Sequence, residues 1–125
     1  LRDPAAALRL VWNALPENGR LFISVPNVAN ITVRLGLLFG SFEYSDRGIL
    51  DRTHLRFYTA RTIRREIERA RFQILETRGT SIPIRLVVGT FTPEPILRVG
   101  ERLLTWLTRL WRGLFAYQIV IVAKK

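Results

Sequence analysis

The pattern of hydrophobic and polar positions predicts a chain of alternating helices and strands. Leu8, Val11 and Trp12 recur at helical spacing after Asp3, whose side chain is suited to cap the start of a helix. A nearly continuous apolar run at 21–25 then has the length of a strand. Such a run is typical of a strand that is covered on both faces, as in a parallel α/β sheet. The first part of the chain is therefore predicted as helix, tight turn and buried strand.

The rest of the chain continues this alternation. Residues 31–39 predict a short apolar helix, and a further helix follows with Ile63 and Ile67 on its inner face. Two strands are predicted at 72–77 and 117–123, with a long amphipathic helix between them. The predicted order is α-β-α-loop-α-β-α-β, an α/β fold with three strands flanked by helices.

Two segments stand apart from the regular elements. Residues 41–58 are polar and without periodicity, which predicts an ordered lid, and residues 92–115 predict a helical insertion. Apolar residues of the insertion recur every three or four positions, opposite several Arg residues, and we expect them to pack on the sheet. They are Ile96, Val99, Leu103, Leu107, Leu110 and Leu114. A basic helix that also carries Trp106 and Trp111 can instead lie on an anionic membrane surface.

Composition and charge narrow the chemistry. The 125 residues include 20 Lys plus Arg against 10 Asp plus Glu, a net charge of +10, with one His and no Cys. Thiolate and multi-histidine metal sites are thereby excluded, and we expect no metal centre. The basic residues are scattered along the chain and do not form a block, which disfavours nucleic acid as a partner. Apolar stretches fall short of the ~20 residues of a membrane span, and no signal peptide is evident, so we expect a cytoplasmic location.

His54 is the best candidate for acid-base chemistry, because histidine changes its protonation state most readily near neutral pH. It lies in the run 51–59, which is dense in groups that can donate hydrogen bonds. Two interpretations stay open at this point. His54 either ties the lid to the following helix, or it acts as a general base or substrate ligand.

Five short segments follow one another in a recognisable order. They are Leu-Arg-Asp-Pro at 1–4, Pro-Glu-Asn-Gly at 16–19, Phe-Ile-Ser-Val-Pro-Asn at 22–27, Gly-Ile-Leu-Asp-Arg-Thr-His-Leu-Arg-Phe-Tyr-Thr at 48–59 and Phe-Ala-Tyr-Gln-Ile-Val at 115–120. This succession resembles the carboxyl-terminal half of class I S-adenosylmethionine-dependent methyltransferases. The greatest similarity is to bacterial small-molecule enzymes, such as the O-methyltransferases of ubiquinone biosynthesis and sugar methyltransferases.

The resemblance implies that residues 1–125 form a single partial domain, the last three strands of a Rossmann-like sheet. Residues 21–25 would be its fifth strand and 72–79 its sixth. The seventh strand, 117–123, would be antiparallel and lie between them. Ligands of open α/β sheets lie beyond the carboxyl ends of the parallel strands, which places the acceptor site beside the lid.

The resemblance also implies an activity, the transfer of a methyl group from S-adenosylmethionine to a small-molecule acceptor, expected to be a hydroxyl. His54 would be the catalytic base, because it is the one plausible base in this half. Asn27, Tyr44, Arg56 and Tyr58 would contact the acceptor. The protein would contribute mainly alignment and removal of the proton of the acceptor.

The chain departs from the family pattern in two ways. The glycine-rich cofactor loop and the acidic residue that holds the ribose are missing from the sequence. We therefore expect this substrate-side half to bind S-adenosylmethionine poorly and to be inactive by itself. Arg71 stands where the family usually has Gly, so we expect the helix before it to end differently.

Other partners follow from the same considerations. An exposed edge of the fifth strand would favour a homodimer, or pairing with the missing amino-terminal half, because unpaired strand edges recruit other strands. The alternative to a methyltransferase is a basic amphipathic module without enzymatic activity that binds a membrane surface or nucleic acid.

Overall fold

A computed structural model describes residues 3–84 and 92–125 of the chain. The elements are α1 (Pro4–Ala14), β1 (Arg20–Pro26), α2 (Ile31–Leu38), α3 (Ala60–Arg69), β2 (Gln73–Thr80), α4 (Glu94–Leu110), α5 (Arg112–Phe115) and β3 (Gln118–Lys124). Their order agrees with the predicted alternation. The long helix of the predicted insertion is divided at Trp111, whose backbone is not helical (φ −141°, ψ 77°).

The three strands form one sheet in the order β1-β3-β2. β3 runs antiparallel to both neighbours, and Ile121 pairs with Ile23 on one side and with Thr77 on the other. β1 and β2 are therefore parallel to each other but do not touch. The predicted α/β fold is confirmed, including the reversed last strand inserted between the other two.

The core lies on one face of this sheet. Alternate residues of β3 point to the same side, and Ile119 and Ile121 are buried there. α1 contributes Leu8, and α3 contributes Ile63 and Ile67, to the same cluster. Helices α1 and α3 thus cover this face together.

The opposite face of the sheet is open in the part of the chain that the structure describes. Exposed and half-buried residues alternate along β1, and Phe22 is 68% exposed. The expectation that β1 is covered on both faces is therefore wrong for these residues. The physical reason is that α1 and α3 both contribute to the core on the other side.

Local signals define both ends of α3. Thr59 and Thr62 form a reciprocal capping box at its start. At its end Arg71 has φ +73°, its amide donates to Glu68, and the amide of Phe72 donates to Ile67. This is the Schellman arrangement that glycine usually supplies. The expectation of a different helix end is wrong, because Arg71 adopts the left-handed conformation itself.

Helix α4 lies beside the carboxyl end of β2. Leu97 and Thr108 are its buried residues, and Gly79 of β2 leaves the space for this packing. A Cβ atom at Gly79 would lie 2.7 Å from Cβ of Ala116 and 3.0 Å from Cγ2 of Thr108. α4 therefore meets the sheet at the end of β2 through Thr108.

The apolar residues predicted to pack under α4 are mostly exposed. Ile96, Val99, Leu103 and Leu110 are between 54% and 70% exposed, whereas Leu107 and Leu114 are half-buried. The packing expectation is wrong, since the helix is rotated so that Leu97 and Thr108 face the protein. No helix within residues 3–84 and 92–125 combines the length and the apolar character needed to cross a bilayer.

Candidate active site

Asn27 lies directly beyond the carboxyl end of β1 and is fully buried. Its side-chain amide donates to the carbonyls of Gly113 and Ala116, at 3.2 and 2.9 Å, and its oxygen accepts from the amide of Ala29. Both amide hydrogens thus bind backbone. This geometry gives Asn27 an anchoring role at the predicted strand edge, while a contact with the acceptor stays a prediction.

Asn30 forms a second buried anchor that the sequence argument did not single out. Its oxygen caps α2 by accepting from the amide and hydroxyl of Thr32, and its amide donates to the carbonyls of Phe115 and Ala116. The signal in the sequence was an Asn directly before the predicted helix. Asn27 and Asn30 together fasten the end of β1 to the segment before β3.

The segment 41–58 continues from α2 to α3 without any helix or strand of the sheet. Its two ends meet through aromatic contacts, since the ring of Phe57 lies 6.3 Å from Phe42 and 6.1 Å from Tyr44. Backbone hydrogen bonds from Ser45 to Leu50 and from Arg52 to Ser45 close the loop between them. The segment is therefore held by its own contacts.

The structure places His54 and Tyr44 in one open cleft of about 460 Å³ within this segment. Its other lining residues are Arg52, Leu55 and Phe57. Among the described residues, nothing hydrogen-bonds Nδ1 of His54, although that atom is buried. A buried polar atom without a partner is costly, so this nitrogen is an uncompensated polar group at the wall of the cleft.

Asp51 lies beside this cleft and is ionised near neutral pH. The hydroxyl and the amide of Thr53 donate to it at 2.6 and 2.7 Å. These two hydrogen bonds, and to a smaller extent the charge of His54, lower the pKa of the Asp51 carboxyl.

Arg56 and Tyr58 line a different cleft, of about 430 Å³, which also contains Asp3 and Glu66. Burial raises the pKa of the Tyr58 phenol, and the Glu66 carboxylate raises it further, so Tyr58 stays a hydrogen-bond donor at neutral pH. The backbone carbonyl of Tyr58 accepts from the amide of Val28 beyond β1. The structure therefore divides the five predicted site residues into two clefts and one buried anchor.

The described residues do not by themselves fit S-adenosylmethionine. β1 continues into the two buried asparagine anchors. Near the end of β2, the side chains of Ala116 and Thr108 occupy the space beside Gly79. Neither strand end leaves the open glycine turn that lets a backbone approach a nucleotide-like ligand closely. The groups that these residues offer beside the lid are one imidazole and several hydrogen-bond donors.

Comparison with known proteins agrees with this geometry. No known protein family matches the chain, and no curated protein is similar to it in sequence. A solved structure of an S-adenosylmethionine-dependent methyltransferase from Archaeoglobus fulgidus is similar, with a TM-score of 0.52 and 18% identity over 98% of this chain. The chain spans about half of that protein, 53% of its length. The likeness establishes the fold, which is that of part of a methyltransferase of this kind.

Proposed function

We propose that the chain is the acceptor-binding half of an S-adenosylmethionine-dependent methyltransferase that acts on the hydroxyl of a small molecule. The observation that carries the proposal is the sheet, in which β3 is reversed and inserted between β1 and β2. The similarity to the Archaeoglobus fulgidus methyltransferase supports it. We place this enzyme in the cytoplasm.

The cleft of the lid supports the assignment of the acceptor site. His54 presents a buried nitrogen without a partner among the described residues, in the same cleft as Tyr44. In the proposed reaction His54 accepts the proton of the hydroxyl, and the carboxylate of Asp51 stabilises the resulting charge. Tyr44 contacts the acceptor within the cleft.

Arg56, Tyr58 and Asn27 have different proposed roles. The second cleft gives Arg56 and Tyr58 a place at the far side of Phe57, where they hold a polar part of the acceptor. Asn27 keeps the end of β1 in register with the segment before β3 and positions the lid. S-adenosylmethionine supplies the methyl group, and groups outside this chain hold most of that cofactor.

The proposal is tested first on the coding sequence next to residue 1. A reading frame that continues into a strand, a glycine-rich turn and a later acidic residue supports it. The protein encoded by that longer reading frame is here called the longer product. Calorimetric titration of the present chain with S-adenosylmethionine is expected to show no binding, whereas the longer product is expected to bind it. Binding by the present chain alone would contradict the assignment of the cofactor site to other residues.

The base is tested in the longer product with labelled methyl donor and a panel of hydroxylated small molecules. We expect His54→Gln to reduce kcat by about a hundred-fold or more. Arg61→Gln, an exposed change on α3, serves as the matched control and keeps full turnover. Full activity of His54→Gln would assign His54 to lid anchoring only.

A further inference from the structure

Helix α4 presents a continuous line of exposed apolar side chains, here called the apolar stripe. It consists of Ile96, Val99, Leu103, Trp106 and Leu110, each at least 54% exposed. Their spacing of three and four residues places them on one side of a helix of 17 residues, roughly 25 Å long. Trp111 extends the stripe just beyond the helix and is 62% exposed. An exposed apolar surface of this length on a folded chain marks an interaction site.

Basic side chains border the apolar stripe. Arg98, Arg102 and Arg109 follow one another along the adjacent side of α4 and line a groove together with Trp106. Arg98 is paired with Glu94 at 3.7 Å. The groove shares Arg109 with a larger cleft of about 700 Å³ between α4 and β2, which Arg112 also lines. Guanidinium groups therefore run from the stripe toward the sheet.

We propose that α4 docks the protein on the surface of a bilayer that contains anionic phospholipids. The apolar stripe would enter the boundary between headgroups and acyl chains, with the two exposed Trp side chains at that boundary. The arginines beside it would contact lipid phosphates. The third side of α4, with Leu97 and Thr108, is buried against the protein. The helix can therefore lie flat on the bilayer surface while it stays packed on the rest of the chain.

The net charge favours an anionic bilayer over a second copy of the chain as the partner of α4. Each copy carries a net charge of +10, and an interface through α4 would bring the arginines of two copies together, which repels. An anionic surface neutralises the same groups. Nucleic acid would also neutralise them, but its phosphate backbone offers no apolar surface for the stripe.

The strand edge that can be extended is not the strand that α4 contacts. The sheet order β1-β3-β2 puts α4 beside β2 and leaves the outer edge of β1 at the opposite end. A chain segment that adds strands to β1 therefore joins the sheet at the edge away from β2. The proposal goes beyond the proposed methyl transfer and does not depend on it, because its test measures binding only.

The test is co-sedimentation of the full chain with vesicles of phosphatidylcholine, with and without phosphatidylglycerol. We expect binding to the anionic vesicles and binding weaker by about ten-fold or more to the zwitterionic ones. The double variant Leu103→Gln, Trp106→Gln is expected to bind anionic vesicles about ten-fold or more weakly. Leu10→Gln with Phe22→Gln changes two equally exposed apolar residues elsewhere and is expected to bind like the wild type.

A second pair of variants tests the basic border. Replacement of Arg102 and Arg109 by Gln is expected to weaken binding about five-fold per arginine, and added salt is expected to weaken it further. The change of Arg61 and Arg65 on α3 to Gln removes the same charge and is expected to have a smaller effect. Urea unfolding of each variant checks that the fold is kept.

Three outcomes would overturn the proposal. They are equal binding to both kinds of vesicle, undiminished binding by the Leu103→Gln, Trp106→Gln variant, and absence of vesicle binding with a dimer that depends on the stripe in light scattering. Loss of methyl transfer in the longer product would leave these vesicle measurements unchanged, so the two proposals fail separately.

Discussion

Helices α3 and α4 both flank the same sheet, and they contact it in different ways. α3 lies across a face, buries Ile63 and Ile67, begins with a capping box and ends in a Schellman turn. α4 meets the sheet at the end of β2, buries Leu97 and Thr108, and follows Pro93 without a side-chain cap. Both are amphipathic, so amphipathic character alone does not determine what a helix packs against.

The difference lies in what each helix faces. Beneath α3 the alternation of β3 supplies Ile119 and Ile121, which are completely covered. Beside α4 the sheet offers only the end of β2, where Gly79 and Thr108 meet. A helix that lies across several strands has its whole stripe covered, whereas a helix that meets the end of one strand has only one or two residues covered. The uncovered stripe of α4 is then left for another surface.

The largest expected effect separates the two helices directly. Ile67→Ala removes a side chain with 0% exposure, and we expect it to lower the free energy of unfolding by about 2–5 kcal/mol because it leaves a cavity. Leu103→Ala on α4 is expected to change it by less than about 0.5 kcal/mol. Urea unfolding of both variants measures the difference. Equal losses would mean that the stripe of α4 is buried.

The next effect concerns the contact between α4 and the sheet. Gly79→Ala would place a Cβ atom 2.7 Å from Cβ of the buried Ala116, and we expect a loss of about 1–3 kcal/mol from overpacking. Gly113→Ala is the matched control, because its nearest neighbouring atom would be 3.9 Å away. Thermal unfolding compares the two. A stable Gly79→Ala variant would show that α4 is not seated on β2.

A smaller effect, of opposite sign, is expected at the end of α3. Arg71 has a left-handed backbone that costs energy for every residue except glycine. Arg71→Gly is therefore expected to raise the free energy of unfolding by about 0.5–1 kcal/mol. The same change at Arg69, inside the helix, is expected to lower it. If both variants lose stability, the Schellman turn is not the stable end of α3.

The smallest effect distinguishes the capped helices from α4 through pH. The amide of Ala6 donates to Asp3 at the start of α1 and lowers the pKa of that carboxyl. This stabilisation is complete above the ordinary pKa and disappears as pH falls through the lowered value, below about pH 4. Asp3→Asn keeps the cap without titrating, so it should lose less stability on acidification. Urea unfolding over a pH series measures the two slopes, and equal slopes would exclude a contribution from this cap.

Local signals were sufficient for much of the fold. Asp3 and the apolar spacing after it predicted α1, and the strand predicted at 117–123 is β3. The insertion of β3 between the other strands came from the resemblance, because spacing does not specify strand order. The burial of α4 was predicted wrongly, since a helical pattern identifies an apolar side but not the element that covers it. The bulge of β2 between Ile74 and Glu76 has no signal in its own residues.

The candidate site was predictable to a smaller extent. The composition singled out His54 as the sole histidine, and the lid containing it stood out as an aperiodic segment. Arg56 and Tyr58 line a different cleft from His54, and Phe57 lines both. This arrangement depends on the directions of successive side chains, which the sequence does not specify. Asn27 was placed at the right strand end, but its contacts are with carbonyls more than eighty residues later in the chain. Such contacts arise only when distant segments meet.

The central position of β3 also has a consequence for biosynthesis. Arg20 pairs with Lys124 and Gln73 pairs with the same residue, so within residues 3–84 and 92–125 neither outer strand has a partner until β3 has been synthesised. Sheets built from such distant pairings close slowly, and unpaired strands expose a nascent chain to aggregation. The sheet of these residues therefore closes only after β3 has been made, and a product that stops before residue 118 is expected to be recognised by chaperones as unfolded.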